Sequence, residues 1–401
     1  MPDTWQELEA KYFLRTGGRR LKVTVERGQG AYVWDTEGKR YLDFVGGWAV
    51  TSLGHCHPAL VEAITQQAQK LFIASNDLYT IPQVQLAEWL VTHSVLDRVF
   101  FSNSGAEANE GAIKLAKKYG KLKKNGAFEF ITALQSFHGR TLTTTAATGH
   151  PEYHVTYTPL PPGFKLVPYN DIEAIKQATT EQTVAIMLEP VQGEGGVNVP
   201  APDYLKQVRA WCDQNGLLLI LDEVQTGAGR LGTLWGYESF GVEPDIMTLA
   251  KGMGGGIPVA ALTAKEHCAV FTPGDHGTTY GGNPLATAGA LAVLSYLVEH
   301  DIPANAARLG EYLRGKLRDL GAKHPFITEV RGMGLLNAVQ FDRDISMDVV
   351  NRCIEEGFLV NPVSPSALRL MPPLNITTAE ADEAVDKLDR ALSKVGAAAT
   401  A

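Results

Sequence analysis

Apolar residues recur along this 401-residue chain in two rhythms. Between residues 55 and 290, short near-continuous apolar runs at 99–101, 184–188, 217–221 and 246–249 alternate with stretches of helical period such as 106–119 and 202–215. Strands that are apolar on both faces and separated by helices predict an α/β unit, a mostly parallel central sheet with helices on both sides. In such folds the chemistry sits at the carboxyl ends of the strands. Beyond 290 the rhythm changes. Helical patterns over 284–299 and 302–320, a strand-like stretch over 330–341 and a closing helix over 378–395 predict a smaller α+β unit. The first 54 residues join it: 31–44 read as a hairpin turning at Glu37-Gly38, and 3–14 as a short amphipathic helix capped by Asp3 or Thr4, with Trp5, Leu8 and Tyr12 on one side. The expected division is 1–54 and 291–401 for the small domain and 55–290 for the large one, with 397–401 frayed.

Composition supports two domains with a sizeable core, at 45% hydrophobic residues. The 40 glycines suggest close backbone approaches of the kind a phosphate site requires. A net charge of −8 argues against nucleic acid or an anionic membrane as the main partner. It leaves room for a small anionic substrate held by local arginines. Cys56, Cys212, Cys268 and Cys353 form no C-x-x-C pair and read as reduced thiols. The start, Met1-Pro2-Asp3-Thr4-Trp5, has no secretory pattern and no apolar run is long enough to span a bilayer, so a cytoplasmic protein is expected.

Three features carry candidate chemistry. Leu217-Leu218-Leu219-Ile220-Leu221-Asp222 ends a buried strand in a carboxylate, which needs a cation or strong donor to stay charged. A protonated pyridine nitrogen would supply one. Ile246-Met247-Thr248-Leu249-Ala250-Lys251-Gly252 ends an apolar strand in a lysine whose amine burial would free for Schiff-base chemistry. Phe101-Ser102-Asn103-Ser104-Gly105-Ala106 leads a strand into a helix whose exposed N–H groups suit a phosphate. Each has an ordinary explanation alone: a strand-end acid, a snorkelling lysine, a plain helix cap. Their joint occurrence on one sheet is much harder to explain that way. The competing motifs are weaker. Residues 310–317 approach a phosphate-loop ATPase pattern but end in Leu317, which cannot ligate magnesium, inside a helical stretch. Residues 227–232 match G-x-G-x-x-G, but no convincing helix start follows. His55, Cys56 and His57 make a poor zinc set, and no metal is expected.

In longer stretches the chain resembles the class III (ornithine-type) aminotransferases, pyridoxal-phosphate (PLP) enzymes of fold type I. The resemblance rests on Leu53-Gly54-His55-Cys56-His57-Pro58, on residues 101–110, on Ser136-Phe137-His138-Gly139-Arg140-Thr141, on Leu188-Glu189-Pro190-Val191-Gln192-Gly193-Glu194-Gly195-Gly196, and on residues 221–227, 249–252 and 276–284. It covers roughly residues 20–393, and the acetylornithine branch of the family is the most similar. The resemblance implies that Lys251 carries PLP as a Schiff base and shuttles a proton at the substrate carbon. It implies that Asp222 keeps the pyridine nitrogen protonated, making the ring an electron sink. Val224 and Phe137 would pack on the two ring faces, with His138 also in contact and Gln225 at the ring hydroxyl. Gly105 and Ala106 would donate N–H groups to the phosphate, with Ser104 nearby. Thr279 would reach the phosphate from the partner subunit of a homodimer. Arg140 and Arg369 would bind substrate carboxylates, a task suited to a planar, bidentate guanidinium. Independently of the resemblance, Arg369 falls in an apolar strand, 367–371, where an unpaired charge would be costly.

Glu194 resembles the family's gate, covering Arg369 for an ω-amine and leaving it for 2-oxoglutarate or glutamate. The implied reaction moves the terminal amine of N2-acetylornithine to 2-oxoglutarate, giving N-acetylglutamate semialdehyde and glutamate. The alternatives are an ω-transaminase acting on 4-aminobutyrate, β-amino acids or an N-modified lysine, an aminomutase or racemase, and a non-catalytic protein on the same fold. Retention of Glu194 with Arg369 favours a two-substrate transaminase, and Lys251 with Asp222 favours catalysis. Departures from the family pattern fall at Ser52, Tyr280 and Trp48. Gly18 and its neighbours stand where ornithine aminotransferases carry a substrate-gripping tyrosine. Trp48 reads equally as pocket lining and as core.

Overall fold

The four apolar runs become members of one sheet. In the computed structural model, which describes residues 4–16 and 21–400 with side chains as far as Ala397, seven strands lie in the order Arg98–Ser102, Ala260–Ala264, Ile246–Leu249, Leu218–Asp222, Thr183–Leu188, Glu129–Ala133 and Phe164–Val167. Ala260–Ala264 is antiparallel to both neighbours and the remaining pairings are parallel. Six strands therefore point one way and end at one edge. Thr183–Leu188, Leu218–Asp222 and Ile246–Leu249 are buried at every residue, as strands covered on both faces must be. Three strands were not singled out by the apolar pattern. Of these, Ala260–Ala264 has little intrinsic β preference (Ala-Ala-Leu-Thr-Ala) and owes its conformation to the strands on either side.

The helix Gly105–Lys123 leaves the carboxyl end of Arg98–Ser102. Ser104 caps it, its hydroxyl accepting from the Glu107 N–H at 3.3 Å. Ala108, Ala112, Ile113, Leu115 and Ala116 face the sheet and are buried. Helices Tyr204–Asn215 and Pro284–Glu299 form where the period placed them.

Two smaller sheets flank this layer. The hairpin Tyr32–Asp35 and Arg40–Asp43 is extended by Val25–Gln29 on one side and, in parallel, by Phe358–Leu359 on the other, so chain from both ends meets in one sheet. The second sheet runs Ile327–Met333, Leu336–Phe341, Ala367–Leu370, Asn361–Ser364. The stretch expected as one strand over 330–341 is in fact an antiparallel hairpin turning at Gly334, whose φ of +52° suits a residue without Cβ. The N-terminal helix spans Trp5–Tyr12 with a reciprocal cap between Thr4 and Glu7, but none of its residues is buried. On its apolar side Leu8 is half-buried, while Trp5 and Tyr12 are exposed. Asp3, the alternative cap, Gly18 and Ala401 lie outside the described residues. The last helix continues from Thr378 to Thr400, beyond the onset of fraying expected at 397. Among the described residues no single helix is long and apolar enough to cross a membrane.

The false phosphate-loop match at 310–317 lies inside helix Ile302–Lys323. Gly310 is where that helix meets the turn of the hairpin: a Cβ there would sit 1.9 Å from the Gly334 carbonyl oxygen. Backbone on both sides leaves little room to relax. Gly310→Ala is expected to lower the unfolding free energy by about 1–3 kcal/mol through overpacking, measured as an earlier midpoint in urea at unchanged slope.

Candidate active site

Because six strands end at one edge, the loops that follow them converge there. They enclose a cavity of about 430 Å³ lined by Ser104, Gly105 and Ala106, by 137–140, by Glu189 and Glu194, by Asp222, Val224 and Gln225, and by Lys251. Nearly all the residues singled out from the sequence are thus brought together, from stretches more than 140 residues apart.

Asp222 is buried, and its charge is met on three sides. Oδ2 accepts from Asn109 Nδ2 at 2.7 Å and pairs with His138 Nδ1 at 2.8 Å, while Oδ1 accepts from the Val224 N–H at 3.0 Å. Asn109 also donates to the His138 carbonyl (2.7 Å), and its own oxygen accepts from Thr248 Oγ1 (2.7 Å). Lys251 follows the strand Ile246–Leu249 with a left-handed φ of +41°, a costly conformation for a residue with a Cβ. Among the described residues its amine has no hydrogen-bond or salt-bridge partner. Burial pushes its pKa down and the nearby Arg369 adds to this, against the opposing pull of Glu194, Asp222 and Glu189. At the head of helix Gly105–Lys123 the backbone is bare for a reason: a Cβ on Gly105 would meet Val224 at 2.8 Å.

The two arginines are in different states. Arg369, 1% exposed, lies behind the cavity wall. Its NH1 and NH2 groups donate to Glu194 Oε1 and Oε2 at 2.8 and 3.1 Å, and NH1 also donates to Gln225 Oε1 at 3.2 Å. Gln225 Nε2 in turn donates to Glu194 Oε1 at 3.1 Å. Burial pushes the Glu194 carboxyl up, but the Arg369 and Lys251 charges outweigh it and bring the pKa down to about 2. Arg140 lines the cavity with no carboxylate partner among the described residues. Its guanidinium rests over Tyr153, 4.2 Å from the ring centre, and 5.3 Å from that of Phe137.

Two residues of the site escaped the sequence reading. Asn109 was legible as a polar residue on the apolar, sheet-facing side of its helix. Glu189 carries the same signal as Asp222, a carboxylate directly after a fully buried strand. Its oxygens accept from the N–H groups of Phe137 (3.0 Å) and Gly193 (3.1 Å). Burial raises its pKa to about 7, with His138 opposing and Asp222 adding to the rise. Thr279 lies elsewhere, exposed beside a second cleft with Ile73, Asn76, Phe101 and Thr278. Trp48 fits neither of its expected places. It is 60% exposed, does not line the cavity, and sits in a left-handed turn that runs from Gly46 to Ala49. His55 pairs with Asp43 at 2.8 Å, and no cluster of metal-ligating groups exists among the described residues.

A pocket at the carboxyl edge of an α/β sheet, with a lysine, a buried acid and a helix N-terminus, is a group-transfer site for a phosphate-bearing cofactor. The chain belongs to the class-III aminotransferases: the family pattern matches residues 13–392. It is 51% identical over 388 residues to the acetylornithine aminotransferase of Caldanaerobacter subterraneus subsp. tengcongensis, covering 96% of this chain and 98% of that one. It is 49% identical over 395 residues to the acetylornithine aminotransferase of Methanocaldococcus jannaschii, covering 98% and 99%. Among solved structures, the ornithine aminotransferase of Toxoplasma gondii ME49 superposes with a TM-score of 0.95 at 35% identity, covering 98% of this chain and 96% of that one. The acetylornithine aminotransferase of Elizabethkingia anophelis gives 0.88 at 34% identity, covering 97% and 98%. The protein is therefore a PLP-dependent transaminase of fold type I. The residues present suit that cofactor: a buried acid for a pyridinium, an amine with no partner among the described residues, and a bare glycine at a helix N-terminus for a phosphate.

The Glu194 carboxyl has a folded pKa of about 2, below its ordinary value of 4.5. Its contribution to stability is therefore complete above about pH 4.5 and fades as the pH falls toward 2. The stability gap between the native protein and Glu194→Gln, measured by urea unfolding, is expected to be level from pH 7 to pH 5 and to shrink at pH 3.

Proposed function

We propose that this enzyme transfers the terminal amine of N2-acetylornithine to 2-oxoglutarate, giving N-acetylglutamate semialdehyde and glutamate. The observation that carries the reading is the pair of unlike arginines. Arg140 is open for the carboxylate of the amine donor. Arg369 is neutralised by Glu194, which suits a donor with no second carboxylate near its reacting amine. Rotation of Glu194 away would release Arg369 for 2-oxoglutarate or glutamate, so one cavity serves both substrates. The acetylornithine aminotransferases at about half identity over nearly the whole chain support the choice of donor.

In this reading Asp222 would hold the pyridine nitrogen, with His138 and Asn109 keeping the carboxylate in place. Val224 and Phe137 would hold the ring, Gln225 would meet its hydroxyl, and Ser104, Gly105 and Ala106 would receive the phosphate. Bound PLP supplies an electron sink that lets an amine pass between two carbon skeletons. Lys251, its basicity lowered by burial, would attach the cofactor and then move the proton at the carbon bearing the donor's amine. Phe137, Val224 and Ala250 give the cavity an apolar wall.

The same proposal includes a homodimer in which Thr279 of one protomer reaches the phosphate of the other. The exposed apolar residues Phe72, Ile73, Leu78 and Tyr79 support it, with Ile73 and Thr279 lining one cleft. Residues 55–290 would be the cofactor-binding unit, with 1–54 and 291–401 forming the smaller one, in keeping with the sheet that joins Phe358–Leu359 to Arg40–Asp43. A cytoplasmic setting accords with four free cysteines.

The test is single-turnover reaction of the PLP-loaded enzyme with N2-acetylornithine, ornithine, 4-aminobutyrate and a β-amino acid in turn, followed by 2-oxoglutarate. The acetylated donor is expected to give the highest kcat/KM, and a higher value for 4-aminobutyrate would replace this reading with a broader ω-transaminase. Lys251→Ala is expected to abolish turnover while far-ultraviolet circular dichroism and sedimentation stay those of the native dimer. Normal turnover by that variant would refute the assigned role.

A further inference from the structure

The loop that carries Glu194 is unusually constrained. Gln192 and Asn198 close it by exchanging backbone hydrogen bonds of 3.1 and 2.9 Å. Inside, Gly193 donates to Glu189 Oε2 at 3.1 Å and the Gly195 carbonyl accepts from Asn198 Nδ2 at 3.2 Å. A Cβ at Gly193 would lie 1.7 Å from Gln225 Oε1, and one at Gly195 would lie 2.2 Å from the Gln135 carbonyl oxygen. The backbone has no room to shift toward either neighbour.

The last tie comes from the C-terminal sheet. Arg331 Nε donates to the Gly196 carbonyl at 2.8 Å. Its fork is aimed by Glu329, at 2.9 Å from NH1, and by Gln340 Oε1, at 3.3 Å from both NH1 and NH2. Arg331 is in register with Ala338, and Ala338 with Arg369. Residues in register point to the same face of a sheet. Arg331 and Arg369 therefore stand in one row, two strands and about 10 Å apart at the backbone, with a small residue between them. That row grips the loop at two points: the Glu194 carboxylate through Arg369 and the Gly196 backbone through Arg331.

We propose that Arg331 is a positioning residue of the substrate switch, anchoring the loop to the same sheet row that carries Arg369. The switch is then a rotation of the Glu194 side chain on a fixed backbone. This rests on the reading of Glu194 as the gate. Only the half-reaction that needs Glu194 seated on Arg369 depends on the anchor. The half-reaction with glutamate proceeds with Glu194 swung away.

Arg331→Met removes the donors and keeps the length of the side chain. In the PLP-loaded enzyme it is expected to lower kcat/KM for N2-acetylornithine about tenfold or more, the scale of losing a charge-assisted hydrogen bond. The glutamate half-reaction should change by less than about twofold. In the cofactor-free protein, amide hydrogen exchange over 193–197 should quicken while the central sheet stays protected. Should the methionine variant fail to fold, Arg331→Lys keeps a cation beside Glu329, lacks the Nε donor, and should shift both readouts the same way. In a Glu194→Ala background the Arg331 substitution should no longer alter the ratio of the two half-reactions. Equal loss in both half-reactions, unchanged exchange over 193–197, or a ratio shift that survives in the Glu194→Ala background would each overturn the anchor. If Glu194→Ala by itself leaves the ratio unchanged, the gate reading fails instead, whatever the exchange data show for the anchor.

Discussion

A negative charge held at the middle of a buried sheet edge is the constraint around which this molecule is arranged. Asp222 ends a strand with no exposed residue, and an isolated carboxylate there would cost several kcal/mol. Three partners prevent that, each drawn from a different part of the chain: Asn109 from the first helix after the sheet begins, His138 from the loop after Glu129–Ala133, and the Val224 N–H from the turn that follows. Asn109 is itself held by Thr248 on the adjacent strand. Satisfying one carboxylate therefore fixes the helix head that offers N–H groups, the aromatic wall at Phe137 and the strand that presents Lys251.

Around that fixed acid the other ionisable groups are differentiated by their surroundings. Lys251 is desolvated and loses basicity. Glu194 is also desolvated but faces Arg369 at hydrogen-bond distance, and the pairing prevails. Glu189, with backbone donors but no cation in contact, is pushed the other way. Two glutamates five residues apart on one loop are thus shifted in opposite directions: both are desolvated, and the Arg369 and Lys251 charges reverse the effect only at Glu194.

The pairing of Glu194 with Arg369 depends on a second constraint, the register of the C-terminal hairpin. Gly334 permits the turn, Gly310 lets the long helix close on it, and the pairing then sets Arg331, Ala338 and Arg369 in one row. A slip of one residue would send those side chains to the opposite face and leave Glu194 without its partner. Residues remote from the cavity in sequence therefore hold Arg369 against Glu194 at its wall.

Sequence alone determined the α/β class, the long helices and the family, because those follow from local period and from residue type and order. Asp222, Lys251 and the Ser104 cap were legible since each terminates or begins an element whose apolar run is unmistakable. The strand Ala260–Ala264 was not, because alanine carries no β preference and its conformation is imposed by two neighbours. The turn at Gly334 was hidden inside a single apolar stretch. Asn109 and Glu189 were visible as letters, but their partners, the Gly193 N–H apart, lie tens of residues away, and hydrogen bonds across that separation leave no periodic trace. Trp48 defied both of its readings for the same reason: exposure is decided by what the rest of the chain places beside a residue. The difference between Arg140 and Arg369, one open and one paired, belongs wholly to the tertiary structure, since a guanidinium's role depends on which carboxylate the fold sets within reach.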